Sequence, residues 1–303
     1  KSCNIYFWQT ALNLWDEYKG TDREAVLQET ARTLGLGSDT GIDLPFEAAG
    51  RIPDRSLFEQ LKEEQLSRDP DAPPILHPSR LEPGGLWVGG DLMNVAIGQG
   101  DVLATPLQMA VAYGALATGI RWEPRIVQSI HDHRGDLVSE AVAPSVELDL
   151  PPGFLAEFRR DMRGVTTEGT ASTAFEVMER PGLTGGKTGT ADVDPRTKLP
   201  HSWFVGVTPV DDPEYAVAVV VEEGGAGSQV AAPIARAIMQ HLLGEEVVPL
   251  VEDGELGQPF PWQDGFERNP LDDPSLDVDP GVDPSEVDGE PEDGIEAAEV
   301  PDP

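Results

Sequence analysis

Three neighbouring segments set the strongest limit on how this chain can fold. Ser202-Trp203-Phe204-Val205-Gly206-Val207 and the run within 214–222 read as strands with almost no polar alternation, so both faces of their sheet must be covered. Just ahead of them, Gly185-Gly186-Lys187-Thr188-Gly189-Thr190-Ala191 places a lysine and two threonines beside residues too small to block a ligand. Residues 192–200 contain two prolines, Pro195 and Pro200, and are not helical. Short links of this kind favour antiparallel pairing. Helical patterns occur on either side in the chain, so the expected class is α/β (α+β), a mainly antiparallel sheet with helices on both faces.

Alternate residues of a strand face one side. Thr188 and Thr190 therefore present hydroxyls together, Gly189 leaves the backbone open, and Lys187 adds positive charge, a set suited to a carboxylate and a polarised carbonyl oxygen. A phosphate-binding loop is the rival reading. It requires Gly, four residues, then Gly-Lys-Ser/Thr at the opening of a helix. Here Pro181 stands where the first glycine is needed, Gly182 leaves three intervening residues, and a strand follows.

The alternative is the Lys-Thr-Gly element that accompanies Ser-x-x-Lys and a Ser-x-Asn-like triplet in penicillin-recognising serine enzymes. Ser2-Cys3-Asn4 supplies such a triplet, 185 positions before Lys187 and directly before an apolar helical run at 5–12. Further segments extend the match: Gly35-Leu36-Gly37, Thr40-Gly41-Ile42-Asp43-Leu44-Pro45, Gly50-Arg51-Ile52-Pro53, Asn94-Val95-Ala96-Ile97-Gly98-Gln99-Gly100, Thr105-Pro106-Leu107-Gln108-Met109-Ala110 and Trp203-Phe204-Val205-Gly206. Over residues 1–245 the chain resembles the class B penicillin-binding proteins, and among them the elongation-type penicillin-binding protein 2 group.

That resemblance implies a transpeptidase fold like that of the serine β-lactamases and a peptidoglycan D,D-transpeptidase activity through a serine acyl-enzyme. It implies that Ser2 relays a proton to the departing D-alanine and that Asn4 bonds the substrate amide. Lys187 would bias the Ser2 hydroxyl and attract the terminal carboxylate; Thr188, Gly189 and Thr190 would form the substrate-binding strand, with the Thr190 N–H as one oxyanion donor. The implied partners are peptidoglycan stem peptides, β-lactam antibiotics and a cell-wall glycosyltransferase, at the extracytoplasmic face of the bacterial membrane. No cofactor is implied, and no metal is expected at these residues.

One departure stands against the pattern. No serine here has lysine three positions later, so the nucleophile is missing; the expectation is a C-terminal part of the transpeptidase domain at 1–247, truncated on its N-terminal side, with anchor and nucleophile upstream and no activity of its own. A β-lactamase or D,D-carboxypeptidase is the neighbouring alternative, disfavoured by the long interval between the two motifs and by Gly98-Gln99-Gly100. A non-enzymatic β-lactam sensor or remnant is the alternative from another class. For the residues themselves, a helix N-cap is the plain reading of Ser2 and Asn4, and a surface lysine that of Lys187.

The net charge of −34 is unevenly spread: residues 252–303 hold 18 acids against Arg268 alone, half of the total. Proline and glycine recur there, so 248–303 is expected to be an acidic disordered tail that cannot bury enough apolar surface to offset its ordering entropy. Such acidity argues against nucleic acid, which needs a basic surface, and against anionic lipid. No apolar run approaches the ~20 residues of a membrane span. The one cysteine, Cys3, excludes an internal disulfide and reads as a small buried side chain.

Local signals place further elements. Thr21-Asp22-Arg23-Glu24 is a capping box for a helix at 22–34 stopped by Gly35. Residues 46–90 read as an irregular surface excursion with a helical piece at 56–66. Thr105-Pro106 opens a helix stopped by Gly119. A hairpin spans 124–142, and helices are expected at 152–162, 170–175 and 228–243. His131 and His133 would share a face of the hairpin, a pattern better explained by solvation than by a metal, and His201 has no catalytic role. Tyr6, Phe7, Trp8 and Trp15 read as core, and Gly98-Gln99-Gly100 as either a plain turn or part of an acceptor groove.

Overall fold

The computed structural model describes residues 2–69, 72–193 and 197–250. In chain order the elements are helices α1 (Asn4–Tyr18), α2 (Val26–Thr33), α3 (Arg55–Ser67), α4 (Gly89–Ala96) and α5 (Pro106–Thr118), strands β1 (Ile120–Trp122), β2 (Ser129–His131), β3 (Leu137–Glu140) and β4 (Ser145–Glu147), helices α6 (Phe154–Thr167) and α7 (Ser172–Phe175), strands β5 (Gly185–Ala191), β6 (His201–Thr208) and β7 (Tyr215–Val221), and helix α8 (Ala231–Leu242). Every strand pairing is antiparallel. The main sheet runs β5-β6-β7, leaving β5 at an edge.

Covering of both faces follows from β6. Phe204 is buried with Phe175, Ala231, Ala235 and Met239 under α7 and α8, while Val207 packs with Ala117 and Met162 under α5 and α6. Alternate residues of one strand thus serve two cores. Gly186 is what lets this happen beside β5, because a Cβ there would strike the Phe204 ring.

A second region is helical. Ala11, Phe58, Leu76, Trp87 and Leu92 form a cluster joining α1, α3 and α4, with the Phe58 and Trp87 rings 5.5 Å apart and the Arg80 guanidinium 4.8 Å above Phe58. The 46–90 segment is therefore no surface excursion; it carries its own core around α3, whose N-cap Asp54 accepts from the Leu57 N–H.

Several local expectations are corrected. Helix α2 begins at Val26, and Glu24 does not close a capping box on Thr21; its carboxylate takes a bidentate pair with Arg55 at 2.6 and 2.9 Å instead, the stronger charge-assisted arrangement. Helix α6 runs on to Thr167. Cys3 is exposed, because it sits at the N-cap of α1 in extended conformation rather than inside the helix. Tyr6 and Phe7 are 68% and 47% exposed and stack edge-on against each other, whereas Trp15 does pack in the helical cluster. The eight residues of α4, about 12 Å long, cannot cover the fifteen of α1, about 22 Å.

The start and stop expected of α5 hold. Thr105 and Gln108 form a capping box, and Gln108, fully buried, also donates to the Ser38 and Ala49 carbonyls. His131 is used within its hairpin, bonding Ser129 and Gly135, and the His201 ring accepts from the Glu223 N–H. Among the described residues no helix is long and apolar enough to cross a membrane. The acidic segment beyond 250 lies outside the described residues.

Candidate active site

The two regions meet at the start of α1 and the free edge of β5. Ser2 lies just before α1, whose N-cap is Cys3 with no side-chain cap bond; the plain N-cap reading of Ser2 is set aside, since its hydroxyl accepts from Lys187 Nζ at 3.1 Å. Asn4 opens the first turn of α1, exposed, two residues along from Ser2. Sequence positions 2 and 187 are thereby brought into contact by tertiary structure alone.

Lys187 pairs in register with Val205, Thr188 with Phe204, Gly189 with Trp203 and Thr190 with Ser202. Lys187 is half-buried, and burial lowers its pKa from the ordinary lysine value, because a charged ammonium loses hydration there. Its Nζ also donates to the Thr188 carbonyl at 2.6 Å. A lysine eased toward neutrality and bonded to a serine hydroxyl is equipped to pass a proton to and from that hydroxyl.

The two threonines are held differently. Thr188 Oγ1 lies 2.8 Å from Thr170 Oγ1, and Thr190 Oγ1 accepts from the Gly227 N–H at 3.4 Å. A hydroxyl carries one donor and two acceptor lone pairs, so each can serve a neighbour and still meet an anion. Thr188 and Thr190, two apart, turn their carbonyls to the same edge; the first takes Lys187 and the second takes the Gln99 side-chain amide at 3.1 Å. Gly98-Gln99-Gly100 therefore does border this strand.

Thr170 and Gly227 touch the strand without having been assigned to the site from sequence, whereas for Gln99 the sequence leaves turn and groove both open. Thr170 was legible only as a helix start, and Gly227 carried no signal of its own; their proximity to β5 depends on pairings 18 and 37 residues apart that no local pattern encodes. Among the described residues no group of three His, Cys, Asp or Glu side chains could hold a metal ion.

The chain is similar to known proteins over most of its length. Residues 1–240 match the penicillin binding protein transpeptidase domain. The chain is 28% identical over 284 residues to the peptidoglycan D,D-transpeptidase MrdA of Haemophilus influenzae, covering 85% of this chain and 38% of that protein. It is 32% identical over 259 residues to the peptidoglycan D,D-transpeptidase PbpA of Mycobacterium tuberculosis, covering 81% and 43%. Among solved structures, PBP2 of Pseudomonas aeruginosa in complex with WCK 5153 superposes with a TM-score of 0.60 at 28% identity, covering 85% of this chain and 49% of that one. The imipenem acyl-enzyme of penicillin-binding protein A from M. tuberculosis gives 0.57 at 26%, covering 80% and 45%. The chain spans about two-fifths of the length of these curated relatives. With most of its residues matched, it belongs to the penicillin-binding protein transpeptidase domain family.

Proposed function

We propose that this chain forms the Ser-x-Asn and Lys-Thr-Gly side of the acyl-transfer site of a peptidoglycan D,D-transpeptidase. The observation that carries the reading is the 3.1 Å bond between Lys187 Nζ and Ser2 Oγ, which joins the two motifs across 185 residues. In this reading the attacking serine belongs to a Ser-x-x-Lys element outside residues 1–303. Its oxygen attacks the carbonyl of the penultimate D-alanine, an ester forms, and the terminal D-alanine leaves as its amine takes a proton relayed by Ser2 and Lys187. The amine of a second stem peptide then attacks the ester, forming the cross-link amide and freeing the serine.

Thr188, Gly189 and Thr190 bind the substrate's terminal carboxylate and the strand side of its backbone, and the Thr190 N–H faces the developing oxyanion. Asn4 bonds the substrate amide. β-Lactams enter the same site; a relative from M. tuberculosis has been solved as an imipenem acyl-enzyme complex. The protein works at the extracytoplasmic face of the membrane beside cell-wall partners, a glycosyltransferase among them; a relative from Helicobacter pylori has been solved with MreC.

Labelling with a fluorescent penicillin tests this. The protein extended upstream through a Ser-x-x-Lys element should label covalently, and Lys187→Ala should slow labelling by about 10²-fold or more. A folded extended protein that never labels would remove the transpeptidase reading and leave a sensor or remnant.

A further inference from the structure

We propose that Gln99 is a latch on the free edge of β5, closed in the empty protein and displaced when an extended peptide adds to that edge. The inference rests on the transpeptidase reading for its ligand class, a peptide ending in D-Ala-D-Ala. It rests on geometry for the latch itself.

An edge strand offers unpaired N–H and C=O groups to any extended chain that lies alongside it. On β5 the acceptors of that edge are the carbonyls of Thr188 and Thr190, and both are already taken by side chains, Lys187 and Gln99. Lys187 belongs to the strand itself, so it travels with the edge. Gln99 reaches over from the helical region, 91 residues away in sequence. A peptide N–H approaching the Thr190 carbonyl must share that oxygen with the Gln99 amide or displace it.

Two glycines and two backbone bonds fix the turn that carries Gln99. Gly98 and Gly100 both have left-handed backbone, φ 71° and 72°, which glycine adopts at no steric cost. The Gly98 and Gln99 N–H groups bond back to the Val95 and Asn94 carbonyls. Gln99 also lines a cleft of about 130 Å³ together with Arg80, Asn94 and Asp101. A liquid water occupies ~30 Å³, so the cleft has room and polar partners for a displaced carboxamide.

Closure of the latch lowers apparent affinity by the fraction of time the edge is open. The test is equilibrium binding of an acetylated lysyl-D-alanyl-D-alanine peptide to the chain of residues 1–303, followed by ¹⁵N NMR. That chain holds no Ser-x-x-Lys, so the peptide is bound and not consumed. Gln99→Ala removes the latch, and Gln99→Met keeps its length without a donor. Both should bind about two- to tenfold tighter than wild type, the scale of one net hydrogen bond, and the wild-type Gln99 side-chain amide resonance should shift on saturation.

Equal affinity in all three proteins, with binding abolished by Lys187→Ala, would overturn the latch and leave the site reading standing. Weaker binding by both variants would make Gln99 a direct peptide contact and overturn it likewise. A peptide that binds none of them would sink the site reading, and the latch with it.

Discussion

The sheet region and the helical region solve the same burial problem by different means. In the sheet region one strand, β6, serves two cores with alternate residues, Phe204 to one side and Val207 to the other, so its order is short-range and repetitive. In the helical region a single cluster gathers Ala11, Phe58, Leu76, Trp87 and Leu92 from segments spread over 82 positions, stitched by ion pairs such as Arg80 with Asp91 at 2.5 Å. A site at their junction has one wall formed by a single strand and one assembled from distant pieces. The strand presents Lys187 and Thr190, and the helical region answers with Ser2 and Gln99.

The largest test of this contrast is Phe204→Ala. Phe204 is fully buried and stacked 5.3 Å from Phe175, so its loss should cost about 4 kcal/mol, read by chemical denaturation, with hydrogen-exchange protection falling across β5, β6 and β7 together. Phe58→Ala should cost somewhat less, about 3 kcal/mol, because the quarter-exposed Arg80 above the ring can relax into the gap. Its exchange losses should centre on α1, α3 and α4. Uniform loss throughout the chain from both variants would erase the distinction between the regions.

A smaller effect is expected at Glu24, whose hydrogen-bonded pair with Arg55 holds its carboxyl below the usual carboxylate range. Such a group stabilises the fold above its unfolded pKa, near 4.5, and loses that contribution as pH falls through the lower folded value. Glu24→Gln should therefore cost about 1 kcal/mol at neutral pH, in line with a partly exposed bidentate pair. The gap between wild type and variant should close below pH 4.5; a gap that widens in acid would reverse the assigned sign. Smallest of all, Ser2→Ala should change stability by no more than about 0.5 kcal/mol, since Ser2 is exposed and precedes α1.

The same contrast explains what could be read from the sequence. Strands β5 to β7 were legible because their apolar runs and the Lys-Thr-Gly spacing are local, and α5 because Thr105, Pro106, Gln108 and Gly119 mark its two ends. The core around Trp87 was not legible, since its proline- and acid-rich surroundings resemble a loop until α3 folds over them. Glu24 misled for a related reason: the capping-box pattern is local, but Arg55, 31 residues on, competed for the same carboxylate and won. The family resemblance named Ser2 and Lys187 together, and the fold brings them to 3.1 Å, whereas Thr170 beside Thr188 needed the folded structure. Local patterns were reliable where partners are adjacent and failed where a distant charge or hydroxyl takes the group.

The most direct measurement is a double-mutant cycle on Ser2 and Lys187 in a protein that carries the Ser-x-x-Lys element the proposal requires, reading the second-order rate of acylation by a fluorescent penicillin. Groups that act as one relay are not additive. The prediction is that Ser2→Ala costs little further once Lys187→Ala is present. Rate losses that simply multiply would contradict the claim that the two regions build a single site through this contact.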